Sequence, residues 1–475
     1  MNRRMIANVV GISLLLESMF MALTALVCVH YGEDASPFML SVIVTAAAGA
    51  VMRSLEPYNK KITSRDGFVM VAFVWIGMSV CGALPFFLSG EISSPVNAFF
   101  ETVSGFTTTG ATILTDIEAM SRGCLFWRSF THWIGGMGIL VFIMALIPMS
   151  GDHSMYILKA EVPGPTSGKI VPRAKDTTMI LYLIYTVMTL LETVLLKIMG
   201  MGWYDALIHA FGTAGTGGFS TKNTSIAAFN SFGIEMVIAV FLILFGINFN
   251  LYYYMVVRKF RNAFKSEELY VYLGIVAASV ILISSKCGFR DSFFAVASII
   301  TTAGYSTADF TLWPVACQMI LVLLMFIGAC AGSTGGGLKV SRILIMFKGC
   351  ASRVSELVRT RSVSRVRIDG KVVDSKIVFS AYAYFFLYIV ILFGGCLLVS
   401  LDGFDFETNI TATLSCISNI GPGLGKVGPS GNFAIFSNFS KLILSFVMLA
   451  GRLELYPILI LFSPGNWKLR KFNNK

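Results

Sequence analysis

The chain has 475 residues, of which 55% are hydrophobic and 13% charged, about half the charged fraction of an ordinary soluble domain. A soluble globule is excluded, because apolar stretches long enough to cross a hydrocarbon core of about 30 Å recur along the whole length. The net charge of +11 would suit a nucleic-acid binder, but the positions of the 37 Lys and Arg residues point to a membrane.

Ten spans are predicted: Ile6–Val29, Phe38–Met52, Phe68–Leu88, Leu125–Pro148, Thr177–Met199, Phe232–Val257, Leu269–Ser285, Trp313–Phe347, Ile377–Leu401 and Phe433–Phe462. The first follows Arg3 and Arg4 without a small-residue cleavage site, so it reads as a retained helix rather than a signal peptide. With ten spans both termini share a side. Most of the basic residues then fall on that side, in the N-terminus, Arg53–Arg65, Lys159–Lys175, Arg258–Lys265, Lys348–Lys376 and Lys468–Lys475. This is the positive-inside asymmetry, with both termini cytoplasmic. Arg122, Arg128, Lys197, Lys222, Lys286, Arg290, Lys426 and Lys441 fall outside, while Lys339, Arg342 and Arg452 lie within helices. The nine cysteines show no paired spacing and read as packers. The four histidines have no metal-ligand spacing, so a zinc site is not expected.

Between spans three and four, five and six, seven and eight, and nine and ten lies a short apolar segment followed by glycine-rich polar residues. A helix of about 12 residues rises only about 18 Å, so each segment reaches mid-membrane and turns back. The four align on one glycine: Thr107-Thr108-Thr109-Gly110, Gly215-Thr216-Gly217-Gly218, Thr301-Thr302-Ala303-Gly304 and Ser418-Asn419-Ile420-Gly421. Thirteen positions before each glycine stand Asn97, Asp205, Asp291 and Thr408, all helix N-capping types. The chain therefore reads as four copies of span, capped half-helix, glycine loop and span. Each copy contains two full spans, so successive copies enter the membrane in parallel and are related by an axis along the membrane normal.

The expected fold is an all-α polytopic membrane protein with four parallel repeats around a central pore, plus two extra N-terminal spans. Its segments are 1–65 for the extra pair, 66–160 for repeat one, 161–265 for repeat two, 266–350 for repeat three with an intramembrane loop, and 351–475 for a cytoplasmic basic segment with repeat four.

Irregular backbone survives at membrane depth only where protein or water satisfies it, so four such loops imply an aqueous lumen. Glycine permits positive φ and clears side chains from the axis, which lets carbonyl oxygens converge on a desolvated ion. No ring of Asp or Glu accompanies the loops, favouring a monovalent cation over a divalent one. The half-helices end at the loops, so four partly negative C-termini point at the axis. No paired catalytic constellation is visible in the spans, and an enzyme is not expected.

The loops FTTTGAT (Phe106–Thr112), GTGGFST (Gly215–Thr221), TTAGYST (Thr301–Thr307) and SNIGPGLG (Ser418–Gly425), followed in kind by AGSTGGGLKVSR (Ala331–Arg342), carry a resemblance over essentially the full length. The chain resembles potassium translocation subunits of the Trk/Ktr/HKT superfamily, most closely the bacterial TrkH branch. The resemblance implies a bacterial inner-membrane protein passing K⁺, the K⁺ held at Thr108, Thr109, Gly110, Thr216, Gly217, Gly218, Thr302, Ala303, Gly304, Asn419, Ile420 and Gly421. It also implies a homodimer in lipid, and a cytoplasmic TrkA-type regulatory ring that binds the nucleotide this chain does not. All four filter glycines are present, as in K⁺-selective members. The fourth loop, with Asn419 and Pro422, departs most from the pattern.

The eighth span is interrupted by five glycines in ten residues, Gly328–Gly337, each disfavouring helix by about 1 kcal/mol relative to Ala. In the family this break is a loop beneath the filter that acts as a gate, here Gly328, Gly332, Gly335, Gly336 and Gly337 with Lys339. A phosphate-cradling loop is rejected, since Gly335-Gly336-Gly337-Leu338-Lys339 lacks the GK[ST] ending and follows a membrane helix. Gly135-Gly136-Met137-Gly138 reads as a close-packing face. A charge as deep as Arg452 faces water or a partner; it reads either as part of the gate, near the pore as in the family, or as a salt-bridge partner of Glu454 or another acid. Glu17, Glu101, Glu192 and Glu235 are expected to make helix-to-helix hydrogen bonds. A gated pore and an Na⁺- or H⁺-coupled symporter of the same fold both remain open at this point.

Overall fold

The computed structural model describes residues 2–55, 63–138, 174–358 and 365–462. The last part of the expected fourth span, most of Lys159–Lys175, the boundary at 160 and Lys468–Lys475 lie outside the described residues. Among the described residues, six helices are long and apolar enough to cross a membrane, or up to seven if a bent pair is one span. The chain is a polytopic helical membrane protein, with one two-stranded hairpin among the described residues.

Helices α1 (Arg3–Tyr31) and α2 (Ser36–Arg53) form an antiparallel pair. Glycines let them touch: a β-carbon on Gly11 would stand 2.7 Å from the Gly49 carbonyl oxygen. Next come α3 (Ser64–Gly82), opened by a Thr63/Asp66 capping box, α4 (Leu84–Leu88), the short α5 (Pro95–Phe106) and α6 (Arg122–Gly136). The long α7 (Ala174–Ile198) leads to the short α8 (Trp203–Gly215), then α9 (Phe232–Phe245), α10 (Phe249–Val256) and the single turn α11 (Phe260–Ala263). A third series runs α12 (Glu267–Cys287), short α13 (Phe289–Ile300), α14 (Val315–Ile327) and α15 (Val340–Val358). The chain closes with α16 (Ser375–Val399), short α17 (Phe406–Ser418), α18 (Asn438–Arg452) and α19 (Tyr456–Leu461).

Three expectations are corrected. The N-cap positions of α5, α8, α13 and α17 are Ser94, Gly202, Gly288 and Asp405, so Asn97, Asp205, Asp291 and Thr408 each stand three residues inside. The common register holds, but its role differs: these side chains hold other segments. Thr221 donates to Asp205 at 2.7 Å and Thr307 to Asp291 at 3.1 Å, tying the strand that follows each loop back to its own helix. Thr408 accepts from the Lys426 backbone at 3.1 Å, and Asn97 accepts from Lys441 at 2.9 Å.

Second, the sixth and tenth spans are not continuous. Helices α9 and α10 meet at 87° across Gly246–Asn248, and α18 ends before Glu454 and Leu455, both at positive φ. Third, Arg128, counted with the outer charges rather than with those within helices, lies within α6 and is 2% exposed.

The basic segment after α15 also holds a hairpin, β1 (Arg367–Ile368) paired antiparallel with β2 (Lys371–Val372). Its turn residues Asp369 and Gly370 both have positive φ, the requirement of the tightest hairpin turns. Asp369 accepts from the Glu267 backbone at 2.7 Å, anchoring the hairpin to the start of α12.

Candidate functional site

Each short helix ends in the same backbone figure. Thr108, Thr216, Thr302 and Asn419 are left-handed, with φ from 53° to 63°, and two residues later Gly110, Gly218, Gly304 and Gly421 have φ from 77° to 101°. Left-handed threonine is strained and persists only where its surroundings over-determine it. Those surroundings are the neighbouring loops. A β-carbon on Gly110 would stand 2.1 Å from the Gly217 carbonyl oxygen, one on Gly218 1.9 Å from that of Ala303, one on Gly304 1.9 Å from that of Ile420, and one on Gly421 2.8 Å from that of Thr109. Loop one thus faces two, two faces three, three faces four and four faces one. The four glycines also line one cavity of about 440 Å³, together with Lys222 and Asp309.

The loops are held by buried groups, of which the sequence pointed to Glu101 and Asn419 but not to Arg128, His132 or Tyr305. Glu101 accepts from Arg128 Nε at 2.6 Å, Thr112 Oγ1 at 2.9 Å and the Ile113 backbone at 2.9 Å. Arg128 also donates to the Ser220 carbonyl at 3.2 Å and lies 3.4 Å above the Phe219 ring centre. It thereby couples loops one and two. His132 stacks on Phe219 at 4.2 Å, and its Nδ1 lies 2.7 Å from the Gly105 carbonyl oxygen. Tyr305, after loop three, donates to the carbonyls of His209 and Phe219 at 3.2 Å each. Asn419 donates to Thr109 Oγ1 at 2.9 Å, joining loops four and one. Above the loops, Asn223 donates to Asp116 at 2.9 Å and holds that carboxyl below the usual carboxylate range.

Of the four membrane glutamates expected to bond between helices, Glu101 does so, and Glu235 pairs with Arg290 at 2.6 Å. For Glu17 and Glu192 no such bond meets the geometry among the described residues, although both are buried and Thr213 of α8 stands beside Glu192. The glycine face of α6 is close-packed as expected, since a β-carbon on Gly135 would stand 1.9 Å from the Phe106 carbonyl oxygen.

The interruption after α14 is a loop with Gly328, Gly332, Gly337 and Lys339 all at positive φ. It lies against the ends of loops three and four. The Gly336 backbone donates to Thr302 Oγ1 at 2.6 Å, and β-carbons on Gly335 and Gly336 would meet the Thr301 and Ser418 carbonyl oxygens at 2.8 and 2.1 Å. Lys339 donates to the Gly335 carbonyl. The break between α9 and α10 receives the loop, with Phe249 donating to Gly332 at 2.9 Å and Cys330 to Gly246 at 3.1 Å. Glu268, on α12, clasps both ends of the loop: one carboxylate oxygen accepts from the backbones of Ala331 at 2.6 Å and Ser341 at 3.1 Å.

Arg452 bridges this loop to α6. It donates to the Thr334 carbonyl at 2.8 Å and to those of Gly135 and Gly136 at 2.6 and 2.8 Å. The last two are buried carbonyls at the C-terminus of α6, where a cation is favoured. Glu454 is instead the partner of Arg342.

The TrkH family profile, described as cation transport protein, matches residues 35–285 and 277–469. The Trk system potassium uptake protein TrkH of Halomonas elongata is 33% identical, with 98% of this chain and 100% of the relative covered. TrkG of Escherichia coli is 32% identical over 98% of this chain and 99% of its own length. The crystal structure of the potassium transporter TrkH from Vibrio parahaemolyticus superposes with a TM-score of 0.88 at 32% identity, covering 98% of this chain and all of that one. With its loops, its interrupted helix and these full-length matches, the chain belongs to the TrkH family of cation transport proteins.

Proposed function

We propose that this chain takes up K⁺ across the bacterial inner membrane through a selective, gated pore, with both termini cytoplasmic. The observation that carries the reading is the circuit of four glycine loops, each facing the carbonyl of the next and all opening into one cavity. Carbonyls presented by Thr108, Thr109, Gly110 and their counterparts replace the hydration shell of K⁺, and the C-termini of α5, α8, α13 and α17 add their dipoles. The four units 66–160, 161–265, 266–350 and 351–475 surround this axis in parallel, with 1–65 peripheral. Two copies form a dimer, and a TrkA-type ring that binds nucleotide docks on the cytoplasmic side. The test is ⁸⁶Rb⁺ flux into proteoliposomes: K⁺ should compete strongly and Na⁺ weakly, and equal competition would refute selectivity.

The loop Gly328–Gly337 acts as the gate, because it lies directly against Thr301, Thr302 and Ser418 at the ends of loops three and four. Its closed position depends on hydrogen bonds from outside the loop, so removing them should shift it toward open. Glu268→Ala deletes the acceptor of two backbone N–H groups, each worth about 1.5–3 kcal/mol when the acceptor is charged. It should raise basal flux about tenfold or more, whereas Glu268→Gln, which keeps an amide oxygen, should stay closer to the parent. Arg452→Ala should likewise raise basal flux, by freeing Thr334 and removing a fixed positive charge from the path. Flux at the parent level in folded Glu268→Ala and Arg452→Ala would place the gate elsewhere.

A further inference from the structure

Two cysteines outside the site lie in contact. Cys287 is the last residue of α12 and Cys317 lies in the first turn of α14. Their sulfur atoms are 3.9 Å apart, and a disulfide needs about 2.05 Å, an approach within reach of a side-chain rotation. The two residues bracket the third re-entrant segment, so α13 and the loop Thr301–Gly304 lie wholly between them. The site is reachable. Lys286, Gly288 and Phe289 are exposed on one side, Pro314, Val315 and Ala316 on the other, and a β-carbon added to Gly288 would meet nothing within 4 Å.

We propose that Cys287 and Cys317 are an oxidation site, forming an intramolecular disulfide that closes the base of the third re-entrant segment. The side of the membrane rests on the topology proposed above, which places both thiols outside, in an oxidising compartment. The oxidant is a disulfide-bearing thiol compound or protein. The half-buried Cys287, as thiolate, attacks one sulfur of the oxidant, forming a mixed disulfide and expelling one thiol. Cys317, 2% exposed and in contact with Cys287, then loses its proton and attacks Cys287 Sγ, expelling the second thiol. The two protein thiols give up two electrons and two protons, and the oxidant's disulfide takes them up as two thiols. At the same places relative to their helix N-caps the other repeats carry Ser93 and Cys124, Met201 and Ile234, and Phe404 and Ser440, so none has a second cysteine pair. The staple is therefore confined to the repeat whose α14 runs into the intramembrane loop.

The experiment treats the purified full chain with oxidised glutathione, alkylates remaining thiols, digests with trypsin and maps the peptides. Nine cysteines should alkylate in the reduced protein and seven after oxidation, with the fragment Cys287–Arg290 linked to the one containing Cys317. The oxidised protein should melt several degrees higher than the reduced protein, and Cys287→Ser and Cys317→Ala should each abolish that difference. Full alkylation after oxidation, a stable glutathione adduct on Cys287, or a link from Cys287 to another cysteine would overturn the proposal. A membrane-impermeant maleimide on intact cells under reducing conditions checks the side separately. Labelling of Cys287 from outside is expected, and labelling only after lysis would overturn the outward topology while the linked peptide stands independently.

Discussion

Alanine at Gly110, Gly218 or Gly304 is expected to abolish selective K⁺ flux. Each new β-carbon would lie 1.9–2.1 Å from a carbonyl oxygen of the next loop, far inside contact distance, at a φ of 77–80° that L residues rarely adopt. The neighbouring carbonyl has to move, and it is one of the groups proposed to hold the ion. Strain of this kind is about 1–3 kcal/mol from the backbone alone, before the overlap is added. The K⁺ flux of folded variants should fall by at least about tenfold. Parent-level flux and K⁺ preference in all three would dismiss the circuit as the selective element.

Breaking the Glu101–Arg128 pair should be the most destabilising single change behind the loops. Both side chains are buried, and removing one partner strands the other charge, at about 3–5 kcal/mol. Glu101→Ala additionally orphans Thr112 Oγ1 and the Ile113 backbone just past loop one. Thermal unfolding in detergent micelles should show Glu101→Leu well below the parent and the double variant Glu101→Leu/Arg128→Met recovering part of the loss, the non-additivity expected of a direct pair. Additive losses would mean that the two residues act independently.

The glycine register was legible because positive φ at a close approach leaves few alternatives to glycine, and four spaced copies are visible in the linear chain. The residue two positions earlier was not legible. Nothing in Thr108, Thr216 or Thr302 announces a left-handed backbone, since the adjoining loops impose it. The cap register was half legible: polar residues near a helix start are ordinary caps, yet here they face returning strands such as those of Thr221 and Thr307. Arg128 reads as one of the outer charges from its place near a span end, and its partner Glu101 lies 27 residues away. The breaks at Gly246–Asn248 and before Leu455 are tertiary, and the first receives the intramembrane loop through hydrogen bonds to Gly332 and Cys330. By contrast, Asp369-Gly370 is a strong hairpin signal, masked in sequence by the charges around it.

The ring formed by the four loops is proposed to pass K⁺ in preference to Na⁺. The direct measurement is the reversal potential of the purified protein in a planar bilayer, with K⁺ on one side at about ten times the concentration on the other and Na⁺ balancing the total. A K⁺-selective pore predicts a reversal near the K⁺ equilibrium value, about 59 mV for one charge, unchanged when the pH on one side is altered. A reversal near zero, or one that follows the Na⁺ or proton gradient, would contradict the account.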